Sequence, residues 1–206
     1  MSFLNKVRDA IDTKFFCEAP NGNLRLVEEK NLANPAEDIC REVHIQLGAL
    51  KNDAIILKID LEEPKLKLHP LLKAEVGIGI NKRCDYIIIC PYEDKIYIIV
   101  MELKSLNTST WYRQCVVGES LVHYIMSAID RNGGTHHRKS FEYRHVLFTT
   151  NGKEATKRPT GNNTVTYLAN TYNDSYYVIH LCNNPINQPY HLASFLSGVR
   201  QAGRKK

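Results

Sequence analysis

Two apolar runs of strand length, separated by a short polar segment, constrain the fold of this chain more than any other feature. The first run spans residues 84–90 and the second spans residues 96–103. Isoleucine and valine dominate both runs, and these residues favour β-strands. Residues 91–95 between them, Pro-Tyr-Glu-Asp-Lys, are short and polar enough to form a turn. The pattern therefore predicts a β-hairpin.

Three charged residues stand out within this hydrophobic hairpin. Asp85 lies near the start of the first strand, and Glu102 and Lys104 lie at the end of the second. Glu102 and Lys104 share one face, because alternate side chains of a strand point the same way. A turn centred between Glu93 and Asp94 places Asp85 directly opposite Glu102. Two carboxylates in this position repel each other, and a shared Mg²⁺ or Mn²⁺ ion, which oxygen ligands suit, is the natural compensation.

Further patterns predict helices and strands on both sides of this hairpin. A helix is expected over residues 3–13. A second helix is expected from Asn34, a helix cap, along the apolar spacing of Ile39, Val43 and Leu47. The other expected elements are helices over 111–130 and from about residue 190, and strands over 54–60, 74–80, 144–150, 164–168 and 176–182. This alternation predicts an α/β sandwich around a mixed sheet.

The hairpin also carries the residues by which this chain resembles the PD-(D/E)xK nuclease superfamily. Asp85 and the triplet Glu102-Leu103-Lys104 match the motif, although Cys84 stands where a proline often precedes the first acid. The resemblance implies a restriction-endonuclease-like core of order αβββαβ, with a mixed central sheet flanked by helices. It also implies that Asp85 and Glu102 bind Mg²⁺ or Mn²⁺. Lys104 would then position or activate the attacking water and stabilise the charged transition state.

Two accessory positions follow from the same resemblance. Superfamily members often carry an acidic residue on the first core helix that points at the metal, and Glu42 is the best match, with Glu37 and Asp38 as rivals. Helix capping explains Glu37 and the helix dipole explains Asp38, whereas Glu42 has no such explanation. A glutamine on the helix after the motif recurs in some subfamilies, and Gln114 matches it. Gly118 stands where a tyrosine sometimes follows, and Gln114 also fits an ordinary solvated position.

Basic segments after the hairpin offer candidate nucleic-acid contacts. Lys153, Lys157 and Arg158 belong to a polar loop that follows a strand expected beside the hairpin. A second basic cluster contains His136, His137, Arg138, Lys139, Arg144 and His145. A surface loop and a solvated connection explain the two segments at least as well. Tyrosines at positions 167, 172, 176 and 177 could stack on bases, but strand tyrosines more often pack against the sheet.

Length and composition indicate an ordinary globular protein. The 206 residues are 43% hydrophobic and 24% charged, with a net charge of +5 that is compatible with a polyanion partner. We expect one domain over 1–206, with the motif-bearing core at about 34–150 and a C-terminal elaboration at 151–206. The six cysteines form no C-x-x-C pair, and no apolar stretch approaches the ~20 residues of a membrane helix. With no visible secretory signal, we expect a cytoplasmic protein that does not enter a membrane.

Together these features predict a metal-dependent nuclease that hydrolyses phosphodiester bonds. DNA is the expected substrate because the resembled superfamily mostly cuts DNA, and restriction, phage defence or repair could use such an endonuclease. The small size favours a homodimer or a partner protein. Three alternatives stay open. They are a catalytically silent nuclease-fold protein that binds nucleic acid or a partner, an RNA-cleaving member, and a small adaptor whose acid pair has no chemical role.

Overall fold

The computed structural model describes residues 3–27, 42–61, 83–104, 109–133, 140–150, 165–169, 176–181 and 188–201, and it shows a mixed α/β protein. Helices α1 to α3 are Phe3–Ala10, Trp111–Gly133 and Leu192–Leu196. Strands β1 to β10 are Asn23–Val27, Glu42–Gln46, Ile55–Lys58, Tyr86–Tyr92, Lys95–Lys104, Ser140–Thr149, Thr166–Ala169, Tyr176–Leu181, Tyr190–His191 and Val199–Gln201.

The larger of two mixed sheets has seven strands in the order β10-β7-β8-β6-β5-β4-β3. Strands β3, β4 and β5 form an antiparallel meander, and β6 runs parallel to β5. The chain passes from β5 through α2 to β6, since two parallel neighbours need a crossover connection. Beyond β6, strand β8 is parallel to it, β7 is antiparallel to β8, and β10 is parallel to β7.

The hairpin of β4 and β5 forms in the predicted register. Its strands pair from Tyr86 with Met101 to Tyr92 with Lys95, which leaves Glu93 and Asp94 as a two-residue turn. Glu93 has φ of 54°, in the left-handed region that such tight turns use. Both strands lie in the middle of the sheet and are buried on both faces, which explains their continuous apolar sequence.

Different layers cover the two faces of the large sheet. One face, which we call the helical face, bears Ile87, Ile98 and Val100 and packs against α1 and α2. The opposite face, which we call the small-sheet face, bears Ile88 and Met101. A three-stranded sheet of order β1-β2-β9 and helix α3 cover this second face. The large sheet therefore lies between a helical layer and a second, smaller sheet.

Strand β2 contradicts the predicted helix over residues 34–47, of which residues 34–41 lie outside the described ranges. Val43 and Ile45 fit a helical stripe poorly but alternate as a buried strand face, and they are β-branched. They pair with Leu26 and Leu24 of β1, a strand that the sequence patterns did not predict. The pairing partner therefore decided between two periodicities that the segment supports.

The remaining helices and strands lie near their predicted positions, but their lengths differ more from the prediction. Helix α2, Trp111–Gly133, confirms the helix predicted over 111–130. The predicted C-terminal helix is mostly wrong, because Tyr190–His191 is a strand and α3 spans only Leu192–Leu196. The strand predicted over 74–80 lies outside the described residues. None of the helices in the described ranges has the length and apolar character needed to span a membrane.

Candidate functional site

Asp85, Glu102 and Lys104 meet at the end of the hairpin that lies opposite its turn. Alternation along β5 places Glu102 and Lys104 on the helical face with Val100, and Lys104 Nζ forms an ion pair with Glu102 Oε1. The pairing of β4 with β5 ends at Tyr86 and Met101, so Asp85 and Glu102 are the next residues in the same register. The three residues therefore lie together at this end of the hairpin, as the predicted position of the turn implies.

The carboxylate of Asp85 replaces a main-chain acceptor at this point of the sheet. Its Oδ2 accepts a hydrogen bond from the backbone N–H of Leu103 at 2.6 Å. The Asp85 carbonyl accepts a second hydrogen bond, from the N–H of Ile59, at 2.9 Å. The backbone N–H of Leu103 lies in an inner strand and needs an acceptor. The pairing of β4 with β5 has ended at this point, so the Asp85 carboxylate takes the place of a main-chain carbonyl. Asp85 is therefore held on both sides, by β3 and by β5.

The site concentrates charge in a largely buried place. Glu102 is fully buried, Asp85 is 9% exposed, and the Lys104 side chain is 11% exposed. The nearby Arg83 lies 3.5 Å from Asp60, which balances its charge. In the described part of the site two carboxylates lie beside one ammonium group, and a buried carboxylate is costly unless a positive charge offsets it. The oxygen atoms of the two acids are groups that could hold a divalent cation.

Two buried thiols lie beside the acid pair and are kept neutral. Burial raises the pKa of Cys84 and of Cys115 well above the usual range, and the charge of Glu102 raises both further. A thiolate is the reactive form of cysteine. Neither thiol is therefore suited to act as a nucleophile. Cys84 packs against α2, and Cys115 on α2 packs against the hairpin at Val100.

Helix α2 lies very close to the hairpin at Gly118. A Cβ atom at this position would lie 2.5 Å from Cys84 Sγ and 2.9 Å from Val100 Cγ1. Real Cβ atoms essentially never approach other atoms so closely. No side chain therefore fits between helix and sheet at position 118 without a shift of its neighbours.

Gln114 braces the chain that leads into Asp85. Its Nε2 donates to the carbonyl of Arg83 at 2.8 Å, and its Oε1 accepts from Thr110 Oγ1 at 3.3 Å. The solvated position that the sequence also allowed is therefore wrong. Gln114 fixes the backbone two residues before Asp85, and it acts on the acid pair through that segment.

Glu42 is not brought to the acid pair. Leu24, Leu26, Val43 and Ile45 point from the small sheet into the core, so the intervening residues face away from the large sheet. On that outer surface Glu42 Oε2 lies 2.7 Å from Arg25 and its Oε1 lies 3.1 Å from His44. These two contacts lower the pKa of Glu42. Glu102 lies on the opposite side of the large sheet, so the structure gives the two carboxylates no common site.

The predicted basic contacts divide into undescribed and buried residues. Arg138, Lys139, Lys153, Lys157 and Arg158 lie outside the described residues. Arg144 and His145 lie inside β6 and are almost completely buried, so they form neither a solvated connection nor a phosphate contact. As neighbours on a strand they face opposite sides of the sheet.

A pair between buried His145 and partly exposed Glu119 on the helical face was not predicted. His145 Nε2 lies 2.8 Å from Glu119 Oε2 of α2. Within the described part of the chain, His145 Nδ1 and the hydroxyl of Tyr143 are buried without a hydrogen-bond partner. The sequence signal was present, because Glu119 follows Cys115 by four residues and precedes Val122 by three, on the buried stripe of α2.

A second charged cluster lies at the turn end of the hairpin, on the small-sheet face. Lys95 and Arg144 both contact Glu142, which lines a cavity of about 410 Å³ with them. The Arg144 guanidinium lies 4.4 Å from the ring centre of Tyr167 and donates to the carbonyl of Gly198 at 3.1 Å. The charged groups of this cluster are thus paired with one another. Arg144 also links the end of α3 to the large sheet.

The chain matches no protein-family model, no curated protein and no solved structure. The geometry of Asp85, Glu102 and Lys104 therefore carries the functional assignment.

Proposed function

We propose that this protein is a metal-dependent nuclease that hydrolyses phosphodiester bonds of nucleic acid. The observation that carries the proposal is the convergence of Asp85, Glu102 and Lys104 at one end of a buried hairpin. Two acids and a lysine in this arrangement are what metal-assisted hydrolysis of a phosphate ester requires. DNA is the proposed substrate, because the superfamily that the motif resembles mostly cuts DNA.

The order of elements supports a restriction-endonuclease-like core. An antiparallel meander, β3 to β5, is followed by helix α2 and by β6, which runs parallel to β5. This is the βββαβ part of the αβββαβ order that the resemblance implies. Helix α1 packs with α2 on the helical face and precedes the meander in the chain, with β1 and β2 between them. We propose α1 as the first helix of that order.

The donor set fits a hard divalent cation. Asp85 and Glu102 offer carboxylate oxygens, which Mg²⁺ and Mn²⁺ prefer. The described ranges contain no group of three or more His, Cys, Asp or Glu side chains suited to a metal ion. Mg²⁺ is often held by one or two carboxylates together with water and substrate phosphate, so a pair of acids is sufficient. When bound, such an ion lowers the pKa of water and offsets charge on the phosphate.

The residues around the acids hold and complement this centre. Lys104 carries the positive charge that can offset negative charge on the phosphoryl oxygens during attack. Leu103 N–H fixes the carboxylate of Asp85, and Gln114 fixes the segment before it. Lys104 needs to exchange its contact with Glu102 for one with phosphate, and its position beside that carboxylate is compatible with such an exchange.

A cleavage assay tests the proposal. Supercoiled plasmid, linear duplex, single-stranded DNA and RNA are each incubated with protein and Mg²⁺, Mn²⁺ or EDTA. Asp85→Asn, Glu102→Gln and Lys104→Ala are compared with wild type. Asp94→Asn is the matched control, because it removes an exposed carboxylate at the other end of the same hairpin. We expect metal-dependent cutting that falls at least about a hundredfold in the three site variants and persists in the control.

The outcomes separate the alternatives. Preferred cutting of RNA would replace DNA as the substrate and leave the site unchanged. Metal binding without cutting of any substrate would indicate a silent nuclease-fold protein or a missing partner subunit. Wild-type cutting that survives Glu102→Gln and Lys104→Ala would exclude this site as the catalytic centre.

A further inference from the structure

Three aromatic side chains form a partly exposed group at the start of α2. The ring of Trp111 lies 5.6 Å from that of Tyr177 on β8 and 5.8 Å from that of Tyr112. Tyr112 lies in turn 6.1 Å from the ring of His145. Trp111, Tyr112 and Tyr177 are all half-buried. We call these three residues the aromatic shelf.

The shelf lies where the described helices stop covering the large sheet. Helix α2 packs over β5 and β6, and β8 is the next strand outward. On the small-sheet face of β8, Val178 and His180 are buried. On its helical face, Tyr177 and Ile179 are only half-buried. Aromatic rings therefore occupy the surface beside α2.

The shelf is on the same face of the sheet as the acid pair and close to it. Tyr177 is in register with His145, which is in register with Val100, and Ile179 is related to Glu102 in the same way. Tyr177 is therefore two residues along the strand and two strands across from Glu102, a Cα separation of about 12 Å from strand geometry. A polynucleotide strand bound at Glu102 and Lys104 would reach the shelf within a few nucleotides.

The charge around the shelf suits a polyanion. The first turn of α2 contains no acidic residue, and Arg113, between Tyr112 and Gln114, is exposed. The N-terminus of a helix adds partial positive charge. Phosphates that follow the shelf would therefore pass Arg113 and the N-terminus of α2, while the bases would meet the aromatic rings.

We propose that the aromatic shelf binds unpaired bases by stacking, so that the substrate of this protein is single-stranded nucleic acid or a duplex with an unpaired segment. Base stacking on aromatic side chains tolerates any sequence, because every base has a π-face. In a duplex those faces are already stacked on neighbouring bases. The assignment of the substrate rests on the nuclease function proposed above, whereas the binding of bases does not.

The fluorescence of Trp111 tests the proposal, because it is the only tryptophan in the chain. The full-length protein in EDTA is titrated with oligothymidylate, oligouridylate and a blunt duplex, and quenching of Trp111 is recorded. We expect saturable quenching by the single strands and little by the duplex. The tighter of the two single strands shows which polymer the shelf prefers. Tyr177→Leu should weaken binding about tenfold or more, and Tyr177→Phe, which keeps the ring, should restore it.

Tyr124→Ala is the matched control, because Tyr124 is 62% exposed on α2 away from the shelf. It should bind like wild type, and thermal melting of each variant confirms that it is folded. Absence of quenching by either single strand, or equal affinity of wild type and Tyr177→Leu, would overturn the proposal. Quenching by single strands in a protein that neither binds a divalent metal nor cuts a substrate would support the shelf and exclude the nuclease. Metal-dependent cutting of a blunt duplex without quenching by single strands would support the nuclease and exclude the shelf.

Discussion

Asp85 Oδ2 lies 2.6 Å from the backbone nitrogen of Leu103, so one carboxylate both follows the hairpin register towards Glu102 and completes the hydrogen bonding of β5. The same side chain thus has a structural and a chemical role. Substitutions that keep one role and remove the other can separate them.

Asp85→Asn and Asp85→Ala should differ in stability but not in activity. Asparagine keeps an oxygen that can accept from Leu103, whereas alanine leaves a buried N–H without an acceptor. A hydrogen bond to a charged group contributes about 1.5–3 kcal/mol, so alanine should lower the free energy of unfolding by about this amount and asparagine by less. Urea unfolding and metal-dependent cleavage check both. Full cleavage by Asp85→Asn would show that the charge of Asp85 is not needed.

Gly118→Ala should destabilise the protein, because the added Cβ would lie 2.5 Å from Cys84 Sγ. Overpacking of this kind costs about 1–3 kcal/mol. Removing the sulfur in Cys84→Ala should relieve part of the clash, although Val100 stays close. A double-mutant cycle by urea unfolding measures this coupling. Strict additivity of the two changes would mean that α2 does not pack on Cys84 as described.

Glu119→Leu should lower stability by about 1–3 kcal/mol, because it leaves the buried His145 Nε2 without its partner. The double variant Glu119→Leu with His145→Phe replaces both polar groups by apolar ones, a change that can be nearly neutral. Chemical denaturation should therefore find the double variant more stable than the single one. A double variant less stable than Glu119→Leu would contradict the view that the single change destabilises by leaving His145 without its partner.

Alkaline pH should destabilise the protein partly through Tyr143. Burial, followed by the charge of Glu119, raises the pKa of Tyr143 from 10.0 to about 12. The folded protein therefore keeps this proton where the unfolded chain releases it. The contribution to stability is complete below about pH 10 and is lost as the pH rises towards 12. Tyr143→Phe cannot ionise, so its unfolding free energy should fall less over this range. Parallel pH profiles for the two proteins would contradict the raised pKa.

Glu42→Gln should leave metal-dependent cleavage unchanged. The structure places Glu42 on the outer surface of the small sheet, with Arg25 and His44, and away from Glu102. Loss of this exposed pair should change the free energy of unfolding by no more than about 1 kcal/mol. Cleavage rates of wild type and Glu42→Gln measured side by side check this. A loss comparable to that of Glu102→Gln would return Glu42 to the metal site.

The hairpin and the positions of its charged residues could be predicted from the sequence, because both depend on local rules. Strand alternation fixed the common face of Glu102 and Lys104, and the position of the turn at Glu93 and Asp94 fixed the register of β4 against β5. The length of α2 also followed from its apolar spacing. These features depend on neighbouring residues and little on distant parts of the chain.

Features that depend on distant partners were missed. Val43 and Leu47 fit the predicted helical spacing, whereas Val43 and Ile45 fit a strand, and β1 decides between the two by supplying Leu26 and Leu24 as partners. That change of element removed Glu42 from the expected metal site. Gln114 was placed correctly on α2, but its contact with Arg83 depends on how the helix lies on the sheet. The contact of Glu119 with His145, which was not predicted, depends on the same packing.

Calorimetric titration with Mn²⁺ is the most direct test of the central claim, that Asp85 and Glu102 together form a divalent-cation site. Wild type and Glu42→Gln should bind the ion with the same affinity, because Glu42 faces away from the pair. Asp85→Asn and Glu102→Gln should each lose at least about tenfold in affinity while staying folded. Absence of binding by wild type, or unchanged binding in Glu102→Gln, would contradict the claim and remove the basis for a metal-dependent nuclease.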